Sequence, residues 1–332
     1  MTSQQIDKDI MVNAAKEETV IDNNIKTNPL DGGVFDEQNG RIIKKEEHPF
    51  SSIATRALTG LVYVLLVVGT LFYSPMMFNL MFAVLAGLAT WEFCTIVNLG
   101  LRIQVNRIIT TICASYLYYA MFEMVTSISG LGYKVFVPFV LTIMYLLISE
   151  LYFKGFRKIE NWAFSFMALL YIAMPMSLLP LMQFIDIKGV GLVYTWTFTL
   201  ALFVFIWVSD TGAYLIGSRF GKHRLFPSIS PRKSWEGTIG GGVLAIVASQ
   251  IFATMSRDFN ADSDLLNRLL WAGFACVIVV FGTWGDLVES RIKRKLGVKD
   301  SGNILPGHGG WLDRFDSLIL AIPAALIYLI LI

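Results

Sequence analysis

Long apolar runs separated by short polar connections fill the chain from residue 57 to its end. Such runs suit membrane-spanning helices, which need roughly 20 apolar residues to cross a bilayer. One run contains Pro175 and Pro180, which predict a kink or break because proline removes a helical hydrogen bond. The pattern predicts an all-α, polytopic transmembrane protein with about nine spans, at 57–74, 76–97, 108–128, 134–153, 161–184, 192–217, 238–256, 268–288 and 312–332.

Connections that are rich in basic residues alternate along the chain with connections that are poor in them. The connections after the second, fourth, sixth and eighth runs are rich in Lys and Arg, whereas those after the third and fifth runs hold single lysines, Lys134 and Lys188. Because basic connections stay in the cytoplasm, we expect a cytoplasmic N-terminus, an external C-terminus and an odd number of spans. No internal repeat is evident, which disfavours a transporter built from inverted halves.

The composition of the chain agrees with a membrane protein, except in its first 50 residues. The chain is 55% hydrophobic and 16% charged, whereas soluble domains carry about 25% charged residues, so a soluble protein of this size is excluded. Residues 1–50 differ, with ten acids against six bases. They predict a disordered polar tail, since they cannot bury enough apolar surface to offset the entropy of ordering.

Acidic residues recur inside the later runs, where each costs a few kcal/mol. Asp210 lies about seven residues, or roughly 10 Å, from the cytoplasmic end of the sixth run. Asp286 and Glu289 end the eighth run, and Asp313 and Asp316 open the ninth. A spacing of three residues places each pair on one helix face. All five acids therefore map to the cytoplasmic side of the membrane, at similar depth.

Carboxylates at one depth cannot all stay ionised without cations. A divalent cation would neutralise part of the charge, and oxygen-only ligands suit Mg²⁺. Acids that stand alone in other runs predict interfacial ion pairs instead. These isolated acids are Glu92, Glu123 and Glu150, and the bases that could pair with the cluster are Arg291, Lys293, Arg294 and Arg314.

Two basic stretches that contain glycine point to a phosphate ligand. His308-Gly309-Gly310 precedes the ninth run, and the stretch 230–237 precedes the seventh. Backbone N–H groups and the helix dipole attract anions at such helix starts. The chain has no GxxxxGK[ST] loop and no Rossmann fingerprint, so the usual soluble nucleotide-binding folds are disfavoured.

The polar stretch between the eighth and ninth runs resembles the signature of the phosphatidate cytidylyltransferases, also called CDP-diacylglycerol synthases. Stretches 209–214, 230–237 and 285–290 match further motifs of that family, so the resemblance covers about 205–317 firmly and the rest by hydrophobic layout. Trp311, Arg232 and Ser234 depart from its commonest residues. The signature reads Ser290-x-Ile292-Lys293-Arg294-x₄-Lys299-Asp300-x-Gly302-x₂-Leu305-Pro306-x-His308-Gly309-Gly310-x₂-Asp313-Arg314-x-Asp316.

The resemblance implies a reaction in which CTP and phosphatidic acid give CDP-diacylglycerol and pyrophosphate. It implies Mg²⁺, with a second cation such as K⁺ as a further expectation, and a homodimer. We accordingly divide the chain into transmembrane helices at 51–190 and a transmembrane catalytic domain at 191–332. The expected partners are CTP, phosphatidic acid and the lipid bilayer, without nucleic acid.

Site residues are carried over position by position. The metal site falls on Asp286 and Asp313, with Asp316 and Glu289 as further candidates. Phosphoryl-type transfer depends mainly on positioning and charge stabilisation, so basic and polar neighbours are assigned to the phosphates. The candidate catalytic residues are Asp210, Lys293, His308 and Arg314, with His308 favoured for positioning; the candidate substrate ligands are Ser209, Arg232, Lys233, Ser234, Glu236, Ser290, Arg294, Lys299, Asp300, Gly309 and Gly310.

Two other functions stay open at this point. A CTP-dependent kinase for a polyprenol or similar lipid alcohol would also need a CTP–metal site on membrane helices. An ion or phosphate transporter could use the intramembrane acids. If the chain is a cytidylyltransferase, we expect it in the cytoplasmic (inner) membrane of a bacterium. Its site should face the cytoplasm and open sideways to lipid.

Overall fold

The computed structural model describes residues 49–152, 158–187, 191–256, 259, 261–302 and 309–332. It also describes three short strands near the N-terminus, which pair antiparallel in chain order: β1 (Ile25–Thr27), β2 (Val34–Asp36) and β3 (Arg41–Ile43). The rest of the predicted tail lies outside the described residues, so its disorder stays a prediction.

Within the part of the chain that the structure describes, nine helical segments follow, one for each apolar run. Eight of them are long and apolar enough to cross a membrane within the described residues, and 58–73 forms a further, shorter apolar helix. This confirms the prediction of an all-α, polytopic membrane protein. The segments are α1 (Pro49–Tyr73), α2 (Pro75–Leu101), α3 (Arg107–Thr126), α4 (Val137–Tyr152, preceded by a 3-10 turn at Gly132–Phe136 that completes its span), α5 (Lys158–Ala168, continued to Gln183), α6 (Thr197–Phe220), α7 (Trp235–Met255), α8 (Asp264–Lys295) and α9 (Leu312–Leu331).

The fifth segment is broken, as its prolines predict. After α5 the chain forms a π-helical turn at Leu169–Ala173, a single α-helical turn at Met174–Ser177 and a 3-10 turn at Leu179–Gln183. Pro175 cannot donate to the carbonyl four residues earlier, so the hydrogen-bond register widens just before it. The hairpin of β4 (Phe184–Ile187) and β5 (Gly191–Tyr194) follows, and α6 therefore begins later than the predicted 192.

Helix α8 is longer than its apolar run. Its 32 residues extend about 48 Å at 1.5 Å per residue, beyond a hydrocarbon core of about 30 Å. The helix continues past the predicted end at 288 to Lys295, because the basic residues of its last turns favour the helix C-terminus. Residues 289–295, which apolarity alone assigns to a connection, thus form the polar end of a helix.

Helices α6 and α7 approach each other through glycine. A Cβ atom built on Gly241 would collide with the carbonyl oxygen of Ser209, and one on Gly237 would lie 2.7 Å from that of Ala213. Small residues at such contacts allow helix backbones to pack closely in membranes. This contact holds the start of α7, and the hairpin of β6 (Arg224–Phe226) and β7 (Ser230–Ser234) before it, against the polar end of α6.

The core lies between α2, α6, α8 and α9. Its largest fully buried side chains are aromatic, including Phe82, Phe203, Trp271, Phe274 and Phe315. Phe82 meets Phe203 and Phe315 at ring-centroid distances of 5.6 and 5.9 Å. These contacts fix α2 against α6 and α9, and so bring residues from both halves of the chain to the polar end of the bundle.

Candidate active site

Asp313, in the first turn of α9, has donors on both carboxylate oxygens. Its Oδ1 accepts a hydrogen bond from Lys293 Nζ at 2.6 Å. Its Oδ2 accepts from the backbone N–H groups of Ser301 and Gly310, each at 2.9 Å. Asp313 therefore ties the end of α8 to the chain on either side of residues 303–308. It stays a predicted metal ligand, and it would have to release Lys293 to bind a cation through Oδ1.

Lys293 joins two carboxylates from different helices. Besides Asp313, its Nζ lies 3.2 Å from Oε1 of Glu289, one turn earlier on α8. The pair is close enough for an ion pair, although neither Glu289 oxygen meets the geometry of a hydrogen bond with a described residue. Glu289 is 1% and Lys293 8% exposed. Because both groups are buried, the positive charge of Lys293 offsets the charge of the carboxylates around it. The contact also confirms that Glu289 and Lys293 lie on one face of α8.

Asp286 connects α8 to the basic hairpin. Its Oδ2 forms an ion pair with Lys233 on β7, and its Oδ1 accepts a hydrogen bond from the Ser290 hydroxyl at 3.1 Å. Lys233 and Asp286 are each about a quarter exposed. The predicted basic stretch 230–237 thus meets the acidic cluster at Asp286, whereas Gly310 of the other predicted stretch contacts Asp313.

A polar cavity of about 510 Å³ opens beside that ion pair. Its walls come from α6, the β6–β7 hairpin, the start of α7 and the end of α8. Three basic side chains, Arg224, Arg232 and Lys233, share this cavity with the carboxylates of Asp210 and Asp286. Ser209 also lines it, and its hydroxyl donates to the carbonyl of Ile206 at 2.9 Å.

A second cavity, of about 350 Å³, lies between α1, α6 and α9. It has an apolar wall that includes Tyr63 and Trp207, and a polar end that includes Asp313, Arg314 and Asp316. Asp210, which is exposed on α6, lines both cavities. The two spaces therefore meet at Asp210. The first contains three basic side chains and the second contains one, Arg314.

Oxygen donors for a cation exist where the cavities meet. Asp210, Asp286 and Asp316 lie close enough for their charges to interact. Oδ1 of Asp316 accepts the N–H of Ser317 at 2.6 Å. Carboxylate oxygens are what Mg²⁺ requires, and Mg²⁺ typically keeps water and substrate phosphate in its remaining positions. Within the described residues no group of three or more His, Cys, Asp or Glu side chains is arranged as a ready-made metal site. The Mg²⁺ site therefore stays a prediction.

Some predicted substrate ligands already have protein partners. Ser234 is the N-cap of α7, and its hydroxyl accepts the N–H of Gly237 at 3.2 Å. Glu236 accepts from the backbone of His223 at 3.1 Å and pairs with its ring Nδ1 at 2.6 Å. Both residues therefore support the shape of the hairpin that carries Lys233.

The remaining predicted ligands lie away from the two cavities. Arg294 contacts the carbonyl of Val298 at 3.4 Å, and Lys299 is exposed at the polar end of the bundle. Asp300 and Gly309 lie beside each other, since a Cβ built on Gly309 would be 3.7 Å from that of Asp300. Gly310 contributes its N–H to Asp313, as described above. His308 lies outside the described residues, and its role stays a prediction.

Two residues of the N-terminal half contribute to this region without being predicted. Tyr63 lines the second cavity, and its hydroxyl is buried without a hydrogen-bond partner among the described residues. Glu92 accepts hydrogen bonds from Ser301 and Leu312. The expected interfacial ion pairs are wrong for Glu92 and Glu123, because both are buried and accept backbone N–H groups. The side chain of Glu150 lies outside the described residues.

Comparison with known proteins identifies sequences similar to this one. The sequence profile described as the cytidylyltransferase family matches residues 54–332. A phosphatidate cytidylyltransferase of Staphylococcus aureus (strain COL) is 42% identical over 168 residues. One of Staphylococcus haemolyticus (strain JCSC1435) is 43% identical over 168 residues. Each alignment covers 51% of this chain and 59% of the relative, so the chain spans little more than half the length of these curated relatives.

Proposed function

We propose, because the chain belongs to the cytidylyltransferase family, that it transfers the cytidylyl group of CTP to phosphatidic acid. The products would be CDP-diacylglycerol and pyrophosphate. The observation that carries the proposal is the meeting of two unlike cavities at Asp210. A reaction between a water-soluble polyphosphate and a membrane lipid needs two such entrances to one point.

The basic cavity suits the triphosphate of CTP. Arg224, Arg232 and Lys233 provide three positive side chains on one short hairpin. Charge-assisted hydrogen bonds to phosphate oxygens are among the strong ones, and arginine can form them in pairs. In the structure Lys233 forms an ion pair with Asp286. A bound triphosphate would share this lysine with Asp286 or replace Asp286 as its partner.

The second cavity suits the lipid phosphate. Arg314 provides a cation at its polar end, and Tyr63 and Trp207 provide an amphipathic wall. Side chains with an apolar body and a polar tip suit the headgroup level of a membrane. A phosphomonoester that entered between α1 and α6 would keep its acyl chains on the apolar side.

The proposed chemistry requires no covalent enzyme intermediate. An oxygen of the lipid phosphate forms a bond to the α-phosphorus of CTP, while the bond between that phosphorus and the oxygen bridging to the β-phosphate breaks. Pyrophosphate leaves with the bonding electron pair. An ionised phosphate is already nucleophilic, so the protein's contribution is to align the two substrates and to stabilise developing charge.

The acids where the two cavities meet have a separate role. A Mg²⁺ ion held by Asp210, Asp286 and Asp316 would neutralise phosphate charge during the transfer. Asp313 would be a further ligand once it releases Lys293. Until then, Asp313 and Glu289 would hold Lys293 and the start of α9 in place around that site. Asp316 would then face both the lipid cavity and Asp286 from a fixed helix.

The alternation of basic connections supports the topology of the proposal. The hairpin with Arg232 and Lys233 and the end of α8 both belong to the basic connections, which face the cytoplasm. CTP would therefore reach the site from inside the cell. We extend the proposal to a homodimer in the cytoplasmic membrane of a bacterium.

Labelled CTP tests the proposal directly. The purified protein in detergent or nanodiscs, supplied with Mg²⁺ and phosphatidic acid, should transfer label from the α-phosphate of CTP into lipid. Label from the γ-phosphate should remain in water-soluble products. Incorporation of γ-label into a polyprenol or another lipid alcohol would instead identify a CTP-dependent kinase.

The transporter alternative has its own readout. Protein reconstituted into liposomes should move neither ions nor phosphate across the bilayer if the intramembrane acids serve catalysis. Transport activity in a preparation that forms no CDP-lipid would overturn the proposed function.

A further inference from the structure

Glu92 lies on α2, far from the signature in sequence but against it in the fold. Its side chain is 3% exposed. Oε2 accepts hydrogen bonds from the Ser301 hydroxyl and from the Leu312 backbone N–H, each at 2.9 Å. Leu312 is the first residue of α9, where backbone N–H groups have no partner within the helix. A carboxylate at this position also interacts favourably with the helix dipole.

Ser301 links Glu92 to Asp313. Its hydroxyl donates to Glu92, whereas its backbone N–H donates to Oδ2 of Asp313. Gly310 donates its N–H to the same oxygen of Asp313. Two carboxylates, one from each half of the chain, therefore hold the residues on both sides of 303–308.

The glycines of this region fit around Glu92. A Cβ atom on Gly302 would lie 2.8 Å from Oε1 of Glu92, and one on Gly310 would also collide with the carboxylate. Real Cβ atoms do not approach oxygen so closely, so the two positions exclude larger residues while Glu92 remains in place. The close approach gives a physical reason for glycine at both positions.

We propose that Glu92 is a positioning residue for the start of α9. Its carboxylate fixes Ser301 and Leu312, and through them the orientation of Asp313, Arg314 and Asp316 toward the two cavities. The inference rests on the proposed function for its effect on turnover. Its effect on the backbone can be measured without any assay of activity.

Two substitutions separate the acceptor from the charge. Glu92→Gln keeps a side-chain oxygen that can accept from Ser301 and Leu312, whereas Glu92→Ala removes it. Glu123 is the matched control, because it is also 3% exposed and accepts a backbone N–H, that of Ser129 at 2.5 Å. Its contacts lie at the end of α3, away from α9.

The first measurement is amide hydrogen exchange in peptides that cover residues 309–316, on the full-length protein. Glu92→Ala should speed exchange there, and Glu92→Gln should restore slow exchange. Glu123→Ala should leave these peptides unchanged. Unchanged exchange in Glu92→Ala would overturn the proposal even if the variant were inactive.

The second measurement is kcat for CDP-lipid formation. Glu92→Ala should lower kcat by about tenfold to a hundredfold, the scale expected when reacting groups shift by about 1 Å, and Glu92→Gln should recover most of it. Equal losses in both variants, or wild-type kcat in Glu92→Ala, would overturn a positioning role. If the wild-type protein forms no CDP-lipid, the proposed function fails, and hydrogen exchange alone still decides the positioning of α9.

Discussion

The ammonium group of Lys233 on β7 lies against the carboxylate of Asp286 on α8. This ion pair joins the basic hairpin to the acidic end of the bundle, on the wall of the cavity that we assign to CTP. The lysine is about a quarter exposed, so a phosphate entering the cavity can reach it. Substitution of Lys233 therefore tests which substrate this cavity binds.

We predict that Lys233→Ala raises the KM for CTP by about tenfold or more, because a charged hydrogen bond contributes about 1.5–3 kcal/mol. The KM for phosphatidic acid should change little. Lys222→Ala is the control, since Lys222 is an exposed lysine in the connection before the same hairpin and does not line the cavity. Initial rates over a CTP series measure the effect, and an unchanged CTP dependence would remove Lys233 from the nucleotide site.

Asp286→Asn should abolish turnover while the protein stays folded. The amide keeps the shape of the side chain but loses the charge that would hold Mg²⁺, and losses of one electrostatic contact at a reacting centre reach about a hundredfold or more. Chelation of divalent ions should likewise stop the wild-type reaction, and added Mg²⁺ should restore it.

Asp262→Asn is the control for Asp286→Asn, because Asp262 is exposed near the opposite end of α8. Thermal unfolding in detergent checks that both variants fold as the wild type does. Activity close to wild type in Asp286→Asn, with Mg²⁺ as the sole divalent ion, would exclude Asp286 from the metal site.

Local spacing explains how much of this site the sequence predicts. The positions of Asp286, Glu289 and Lys293 follow from helical periodicity, and the structure confirms that Glu289 and Lys293 share one face. The break of the fifth segment follows from Pro175, which acts on its own turn. Such features depend on residues within a few positions of each other, so they can be predicted from the order of residues along the chain.

Contacts between distant helices were not predictable in the same way. Nothing in the surroundings of Glu92 indicates that its partners are Ser301 and Leu312. An isolated acid in an apolar run is equally compatible with an interfacial ion pair, which is the prediction that proved wrong. Gly237 and Gly241 carried a usable signal, because small residues four positions apart are typical of close helix contacts in membranes.

Tyr63→Phe should weaken the lipid site selectively. The hydroxyl of Tyr63 is buried beside the second cavity without a partner among the described residues, so it is placed to donate to a lipid phosphate. We expect the KM for phosphatidic acid to rise by about tenfold, the equivalent of one hydrogen bond to a charged group, with the KM for CTP unchanged.

Tyr73→Phe tests whether that effect depends on position, since Tyr73 is an exposed tyrosine at the last residue of α1. Kinetics in mixed micelles with varied phosphatidic acid measure both variants. A rise in the KM for CTP instead of that for the lipid would reverse our assignment of the two cavities.

Gly241→Ala should separate the two helices that carry the polar cavity. The added Cβ would collide with the carbonyl oxygen of Ser209, one residue before Asp210. Forcing an extra methyl group into such a contact typically costs about 1–3 kcal/mol. Because α6 carries Asp210 and the hairpin before α7 carries Lys233, we expect a lower unfolding temperature together with reduced turnover.

Gly242→Ala is a closely matched control for this contact. It adds the same methyl group one position later, where the nearest atom is Cγ1 of Val279 at an ordinary 3.6 Å. Thermal unfolding and CDP-lipid formation should both stay near wild type in that variant, since replacing glycine by alanine also favours the helix. If Gly241→Ala and Gly242→Ala behaved alike, the close approach of α6 and α7 would not determine the geometry of the site.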